Sequence, residues 1–209
     1  PYKGLQAFQE ADVDDFFGRD ALVGQLVERL GTARQGPESR FLALVGPSGS
    51  GKSSVVKAGL IPALRQGALP GSDKWFIAEM APGSNPLQQL AQALWGVAVD
   101  PPANLGEAMQ RDSDGLLRAI RRVLPSGRGP AVEPPQLLLV VDQFEELFTL
   151  VEDEEQRTFF LDSLMAALEA ARSPLHLLVT LRADFYDRPL EIQEWGRLLK
   201  LKTEVVLPL

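Results

Sequence analysis

The sequence predicts an α/β domain in which a mostly parallel, five-stranded sheet lies between two layers of helix. Three observations carry this expectation. Phe41-Leu-Ala-Leu-Val45, Leu137-Leu-Leu-Val-Val141 and Leu175-His-Leu-Leu-Val-Thr-Leu181 are short runs, apolar nearly throughout, as strands covered on both faces are. The segments between them carry apolar residues at helical spacing. Clusters of Gly and Pro punctuate the chain where one type gives way to the other. Buried strands alternating with amphipathic helices fold by crossover connections, which make neighbouring strands parallel and put helices on both faces.

The elements follow in order. Leu22, Val23, Leu26, Val27 and Leu30 form an i, i+3/i+4 stripe, a helix from Asp20 to about Arg34 that Gly36-Pro37 stops. A second helix begins near Gly51, after the first strand, and ends around Pro62 to Leu64. Trp75-Phe-Ile-Ala78 is a weaker strand candidate. Pro86 suits the first position of a helix running to about Val97, because its missing N–H has no partner there in any case. Another helix spans Ser113 to Leu124. Residues 125–135 hold four prolines and two glycines, which makes them a surface loop. Glu154 to Ala171 is a helix ended by Ser173-Pro174, Pro189 to about Leu199 another, and Glu204 to Pro208 a last strand. No repeat of 20–50 residues interrupts this alternation.

Composition excludes whole classes of function. With 45% hydrophobic and 23% charged residues the chain is neither disordered nor fibrous. There is no cysteine, so disulfides, thiol nucleophiles and Cys-type zinc sites are out, and a cytoplasmic address is expected. His176 is the one histidine; inside an apolar run it is expected to be structural rather than part of a Ser-His-Asp device. No apolar stretch approaches the ~20 residues of a spanning helix, so no membrane segment is expected. The chain opens Pro1-Tyr2-Lys3-Gly4 with no initiator Met or signal-peptide pattern, and reads as one domain over residues 1–209, excised from a longer protein. The net charge is −7, and seven acids with no Lys or Arg fall between 142 and 155; the remainder is balanced, offering no basic field for direct nucleic-acid binding.

Between the first strand and its helix lies Gly46-Pro-Ser48-Gly49-Ser50-Gly51-Lys52-Ser53, followed by Ser54. It fits G-x-x-x-x-G-K-[ST], the phosphate-binding P-loop or Walker A motif, in the right strand-to-helix context. Small residues let successive backbone N–H groups turn inward around polyphosphate, and the following helix directs its positive end at the same charge. Lys52 is expected to reach the β/γ-phosphates and the Ser53 hydroxyl to ligand Mg2+.

Such a loop needs an acid to hold the metal shell and, for hydrolysis, a base that orients water. Leu137-Leu-Leu-Val-Val-Asp142-Gln-Phe-Glu145-Glu146 supplies both in Walker B form. Asp142 is the candidate metal ligand beside Ser53. Glu145 and Glu146 are both candidate bases, with Glu145 ranked ahead. Glu152 to Glu155 are expected to open the next helix, where its dipole favours acids. Arg182, at the carboxyl end of the third apolar strand, is a candidate γ-phosphate sensor, with pairing to Asp184 or Asp187 the competing role. Thr180 is a candidate for orienting water. Arg118, Arg121 and Arg122 are expected to be a solvated helix face.

These residues together make a narrower pattern. The chain resembles the STAND class of P-loop NTPases, and most closely the novel STAND NTPases that precede WD-repeat or other repeat arrays in multidomain bacterial proteins. The resemblance rests on Tyr2-Lys-Gly-Leu-Gln-Ala-Phe8 with Phe16-Phe-Gly-Arg-Asp20, on Val45 to Ser54 continuing to Ala58-Gly-Leu-Ile-Pro62, on Val140-Val-Asp-Gln-Phe-Glu-Glu-Leu-Phe148, and on Leu181-Arg-Ala-Asp-Phe185. It implies a three-layer αβα fold of the ASCE type, with the sensor strand between the P-loop strand and the Walker B strand. It further implies that Phe17, Gly18 and Arg19 lie by the adenine, favouring ATP or ADP, and that Arg182 is the sensor arginine. Helical and winged-helix parts that close over the nucleotide in the class have no counterpart up to Leu209.

The function implied is a Mg2+-dependent ATPase switch that gates homo-oligomerisation, its partners being a repeat sensor and an effector in the same chain. The alternative is a nucleotide-binding regulatory module with little or no hydrolysis. A small-molecule kinase would need an arginine-rich lid, a GTPase an Asn-Lys-x-Asp specifier and an ABC ATPase a Ser-Gly-Gly-Gln signature, none of which stands in the sequence.

Overall fold

The computed structural model describes residues 9, 18–31, 36–100, 104–125 and 134–208. The entry motif at 2–8 and 16–17, the end of the first helix beyond Gly31, and most of the proline-rich loop lie outside them. Five parallel strands form one sheet: β1 (Phe41–Gly46), β2 (Phe76–Met80), β3 (Leu137–Val141), β4 (Leu175–Arg182) and β5 (Thr203–Val205), in the order β2-β3-β4-β1-β5. β4 therefore lies between β1 and β3, the order that the resemblance implies.

Burial explains why the central strands lack polar alternation. Their side chains alternate between two separate cores. Phe41, Ala43, Val45, Leu137, Leu139, Val141, Leu175, Leu177, Val179 and Leu181 face one layer. Leu42, Leu44, Leu138, Val140 and Leu178 face the other. The first layer is α3 (Pro86–Val97), α4 (Leu105–Met109), α5 (Gly115–Val123), α7 (Glu154–Glu169) and α9 (Gln193–Lys202). The second is α1 (Asp20–Gly31) and the α2 segment (Lys52–Ser54, Val55–Leu60, Ile61–Arg65). Two shorter helices, α6 (Glu146–Thr149) and α8 (Asp187–Leu190), follow β3 and β4.

Local chemistry sets the helix ends. Asn85 accepts the Gln88 N–H at 3.2 Å with Pro86 at the first helical position. Asp153 caps α7, accepting from the N–H groups of Glu155 and Gln156. This is the helix-opening role expected for the 152–155 acids. The arginines of α5 are exposed as expected: Arg118 pairs with Asp112 at 2.8 Å, both half-exposed.

Three expectations are corrected. The Gly51–Leu64 helix is not uniform: Val55–Leu60 is π-helical, and Ile61 N–H bonds back to the carbonyl of Val56 rather than that of Lys57. Pro62 supplies a reason, since it has no N–H to give and its ring crowds the carbonyl four residues earlier; a wider turn relieves both. The Pro189–Leu199 helix is two, broken where Ile192 is extended (φ −92°, ψ 116°). There Gly196 lets the Leu190 carbonyl pack so closely that a Cβ would sit 2.7 Å from it. Finally, the last strand is short, Thr203–Val205, because its partner β1 ends at Gly46 and turns there into the loop.

His176 is structural. Its ring stacks on Trp75 with centroids 4.2 Å apart. Burial, reinforced by the nearby Arg40 charge, lowers its pKa to about 4, so it is neutral at pH 7.

Candidate functional site

The site grows from the carboxyl ends of β1, β3 and β4. The Gly46–Ser53 loop turns on Gly49 and Gly51 at φ 74° and 87°, left-handed conformations that L side chains avoid, and a Cβ at either would meet none of the described residues within 4 Å. Among the described residues, the loop is open on that side. Gly46 is constrained on the other: a Cβ there would lie 2.2 Å from the Val206 carbonyl oxygen. The chain leaving β5 thus passes directly behind the loop, with Val206 N–H donating to the Val45 carbonyl at 2.7 Å.

Arg19 closes this rear contact. Its guanidinium donates to the carbonyls of Ser50 (3.2 Å) and Leu207 (2.7 Å). Gly18 precedes it, exposed and at φ 83°; Phe17 lies outside the described residues. The Ser50 hydroxyl is buried without a partner among the described residues, whereas Ser48 is exposed and Ser54 half-buried.

Lys52 is buried, only 8% exposed, and its ammonium donates to the carbonyls of Gly46 (3.0 Å) and Pro47 (2.9 Å). Burial lowers its pKa, opposed by the charges of Glu145 and Asp142. Ser53, next along, donates its hydroxyl proton to Asp142 Oδ1 at 2.8 Å. The loop and the end of β3, 89 residues apart, are joined by this bond.

Strand periodicity places Asp142. Leu138 and Val140 face the α1/α2 layer, and Asp142 continues their row beyond the paired Val141 and Val179. Thr180 likewise continues the row of Leu178. Its hydroxyl donates to Asp142 Oδ1 at 2.5 Å and accepts the Gln143 N–H at 3.0 Å. That proton is directed at Asp142.

Gln143 adopts φ 56°, rare for a residue with a side chain. The reversal separates the two glutamates. Glu145, 8% exposed, accepts the Arg182 backbone N–H at 3.2 Å and lies within electrostatic reach of Lys52. Desolvation raises its pKa above the ordinary carboxylate value, against the pull of backbone hydrogen bonds and Lys52. Glu146 instead accepts the Gly83 N–H at 2.8 Å, joining α6 to the loop after β2. The Arg182 guanidinium grips Asp184 with two bonds, 3.0 and 2.6 Å, and lies 5.4 Å from the Phe185 ring centre.

The residues brought together are thus Lys52, Ser53, Asp142, Thr180, Glu145 and the Arg182 backbone. Glu146 bonds to Gly83, and the Arg182 guanidinium bonds to Asp184 while its charge still reaches Lys52 and Glu145. The role of Thr180 toward Asp142 was missed, though two rows of alternate strand residues ending in Asp and Thr were a signal for it.

Hard oxygen donors at Ser53 and Asp142, beside an open glycine turn, suit Mg2+ that arrives with phosphate oxygens. Among the described residues no group of three or more His, Cys, Asp or Glu is placed to hold a metal ion.

A three-layer α/β sandwich with a glycine-rich loop between β1 and its helix, and an acid at the tip of β3, defines a P-loop NTPase-like protein. Within that class, the chain belongs to the novel STAND NTPase 1 family, whose model matches residues 1–209. No curated protein matches the chain.

Proposed function

We propose that this chain is an ATP-binding, Mg2+-dependent switch domain that hydrolyses ATP slowly. The observation that carries the reading is the convergence of buried Lys52 and buried Glu145 beside the Ser53–Asp142 bond. Lys52, now held by loop carbonyls, has a charge that phosphate oxygens would satisfy better. Ser53 and Asp142 would hold Mg2+, which supplies charge neutralisation of the β- and γ-phosphates when bound. Glu145 accepts the proton of the attacking water, the bond from the γ-phosphorus to the β–γ bridging oxygen breaks, and ADP and phosphate leave. A carboxylate whose pKa is raised by burial is a stronger base than an exposed one. Arg19, fixed to the Ser50 carbonyl, keeps Gly18 and Arg19 beside the loop, in keeping with an adenine site that includes Phe17.

Membership of a STAND family implies other domains in the same chain. A repeat sensor, an effector, oligomerisation on activation and a cytoplasmic bacterial setting complete the proposal; no described helix is long and apolar enough to cross a membrane. A second reading, nucleotide binding with little hydrolysis, is favoured by one observation: the Arg182 guanidinium is engaged by Asp184. Calorimetry with ATP and Mg2+ tests the common core of both. Lys52→Ala is expected to abolish binding, and unchanged affinity would overturn the assignment.

A further inference from the structure

Three groups of the turn after β3 converge on one residue of β4. Thr180 is 1% exposed, and its side chain makes two hydrogen bonds, both to the turn that follows β3. Its proton goes to Asp142 Oδ1, and its lone pair accepts the Gln143 N–H. The Thr180 carbonyl adds a third bond, accepting the Phe144 N–H at 2.8 Å. One residue of β4 therefore fixes three successive residues of a turn held in a conformation that Gln143 would not choose alone.

The consequences divide by atom. Asp142 Oδ1 accepts from both Ser53 and Thr180. Its orientation toward Ser53 is set from behind by the threonine, since two donors on one oxygen remove the freedom of the terminal carboxylate torsion. The Gln143 and Phe144 bonds hold the reversal that turns Glu145 inward and Glu146 outward. Valine has the same shape but cannot donate or accept, and in place of Thr180 would take from the Gln143 N–H its side-chain acceptor and from Asp142 the second of the two donors on Oδ1.

We infer that Thr180 is a positioning residue, whose hydroxyl orients Asp142 toward a nucleotide-borne divalent cation and holds the strained turn at Gln143. The cation part rests on the nucleotide reading proposed above; the turn part does not.

Two measurements on the full chain test it. The first is the ratio of ATP affinity with Mg2+ to that in EDTA. Outer-shell partners of metal ligands typically contribute 10–100-fold to metal affinity, so Thr180→Val is expected to reduce the ratio by at least about tenfold. EDTA affinity should stay near wild type, and Thr180→Ser should restore the ratio. The second is amide exchange at Gln143 without ligand, which should accelerate in the valine variant and stay protected in the serine variant.

A valine variant that keeps the wild-type Mg2+ ratio and a protected Gln143 amide overturns the inference. Equal loss in Thr180→Ser and Thr180→Ala, the pair to compare if valine prevents folding, overturns it in favour of packing by the methyl group. If the wild type binds ATP in neither buffer, the nucleotide reading fails and takes the Asp142 role with it, while the exchange result still decides the turn.

Discussion

Glu145 meets Arg182 through the arginine's backbone: Oε2 of Glu145 accepts the Arg182 N–H at 3.2 Å, while the guanidinium of the same residue points to Asp184. The end of β4 thus presents two separable groups, a main-chain donor that holds the proposed base and a side chain held in reserve. Their separation makes the two glutamates and the arginine independently testable.

Glu145→Gln is expected to lower ATP turnover by roughly 10²–10⁴ while leaving ATP affinity within a few-fold of wild type. Glu146→Gln, whose side chain still accepts from Gly83, should turn over ATP at nearly the normal rate. A steady-state phosphate-release assay with parallel calorimetry separates them, and equal rates in both variants would remove Glu145 as the base.

Asp184→Asn removes the partner that engages the Arg182 guanidinium. Since both side chains are roughly half-exposed, their pairing adds little to folding, and Tm should hardly change. The freed guanidinium is expected to improve affinity for ATP over ADP several-fold, as a charge-assisted contact to the additional phosphate would. An unaltered ATP-to-ADP ratio would show that Arg182 does not read the γ-phosphate.

His176 gives a pH signature unrelated to nucleotide. Its folded pKa of about 4 lies below the ordinary 6.5, so between these values the unfolded chain binds the proton and the folded one does not. The contribution is therefore complete above pH 6.5 and is lost as pH falls toward 4, by up to about 3 kcal/mol. Urea unfolding across this window should show falling stability on acidification, and His176→Phe should flatten that slope.

Gly46→Ala would place a methyl 2.2 Å from the Val206 carbonyl oxygen, with backbone on both sides of the clash. A loss of about 1–3 kcal/mol is expected on urea unfolding. The crowding should also weaken ATP binding, since relief requires either the loop or the chain after β5 to move.

The fold was legible because its strands announce themselves. A parallel sheet buried on both faces needs runs such as Leu137–Val141, and Pro86 or Asp153 marks a helix start by its own chemistry. The glycine-rich loop and Asp142 were legible for the same reason, since their chemistry is local. What pairs distant strand ends was not: Thr180 meets Asp142 only through a register between strands 38 residues apart. The choice between Glu145 and Glu146 depends on a left-handed turn at Gln143, and glutamine carries no turn signal. The π segment of α2 was equally silent, because its hydrophobic spacing alone does not distinguish one wide turn from a regular one.

Arg19 makes the back of the glycine-rich loop a mechanical junction. One guanidinium joins carbonyls at positions 50 and 207, and neither carbonyl has a donor of its own to offer the other. Drawing the strand exit away from the sheet would therefore cost the Arg19–Leu207 bond or move the guanidinium that is bonded to Ser50. The chain after β5 and the glycine-rich loop thus share a single side chain as their common anchor.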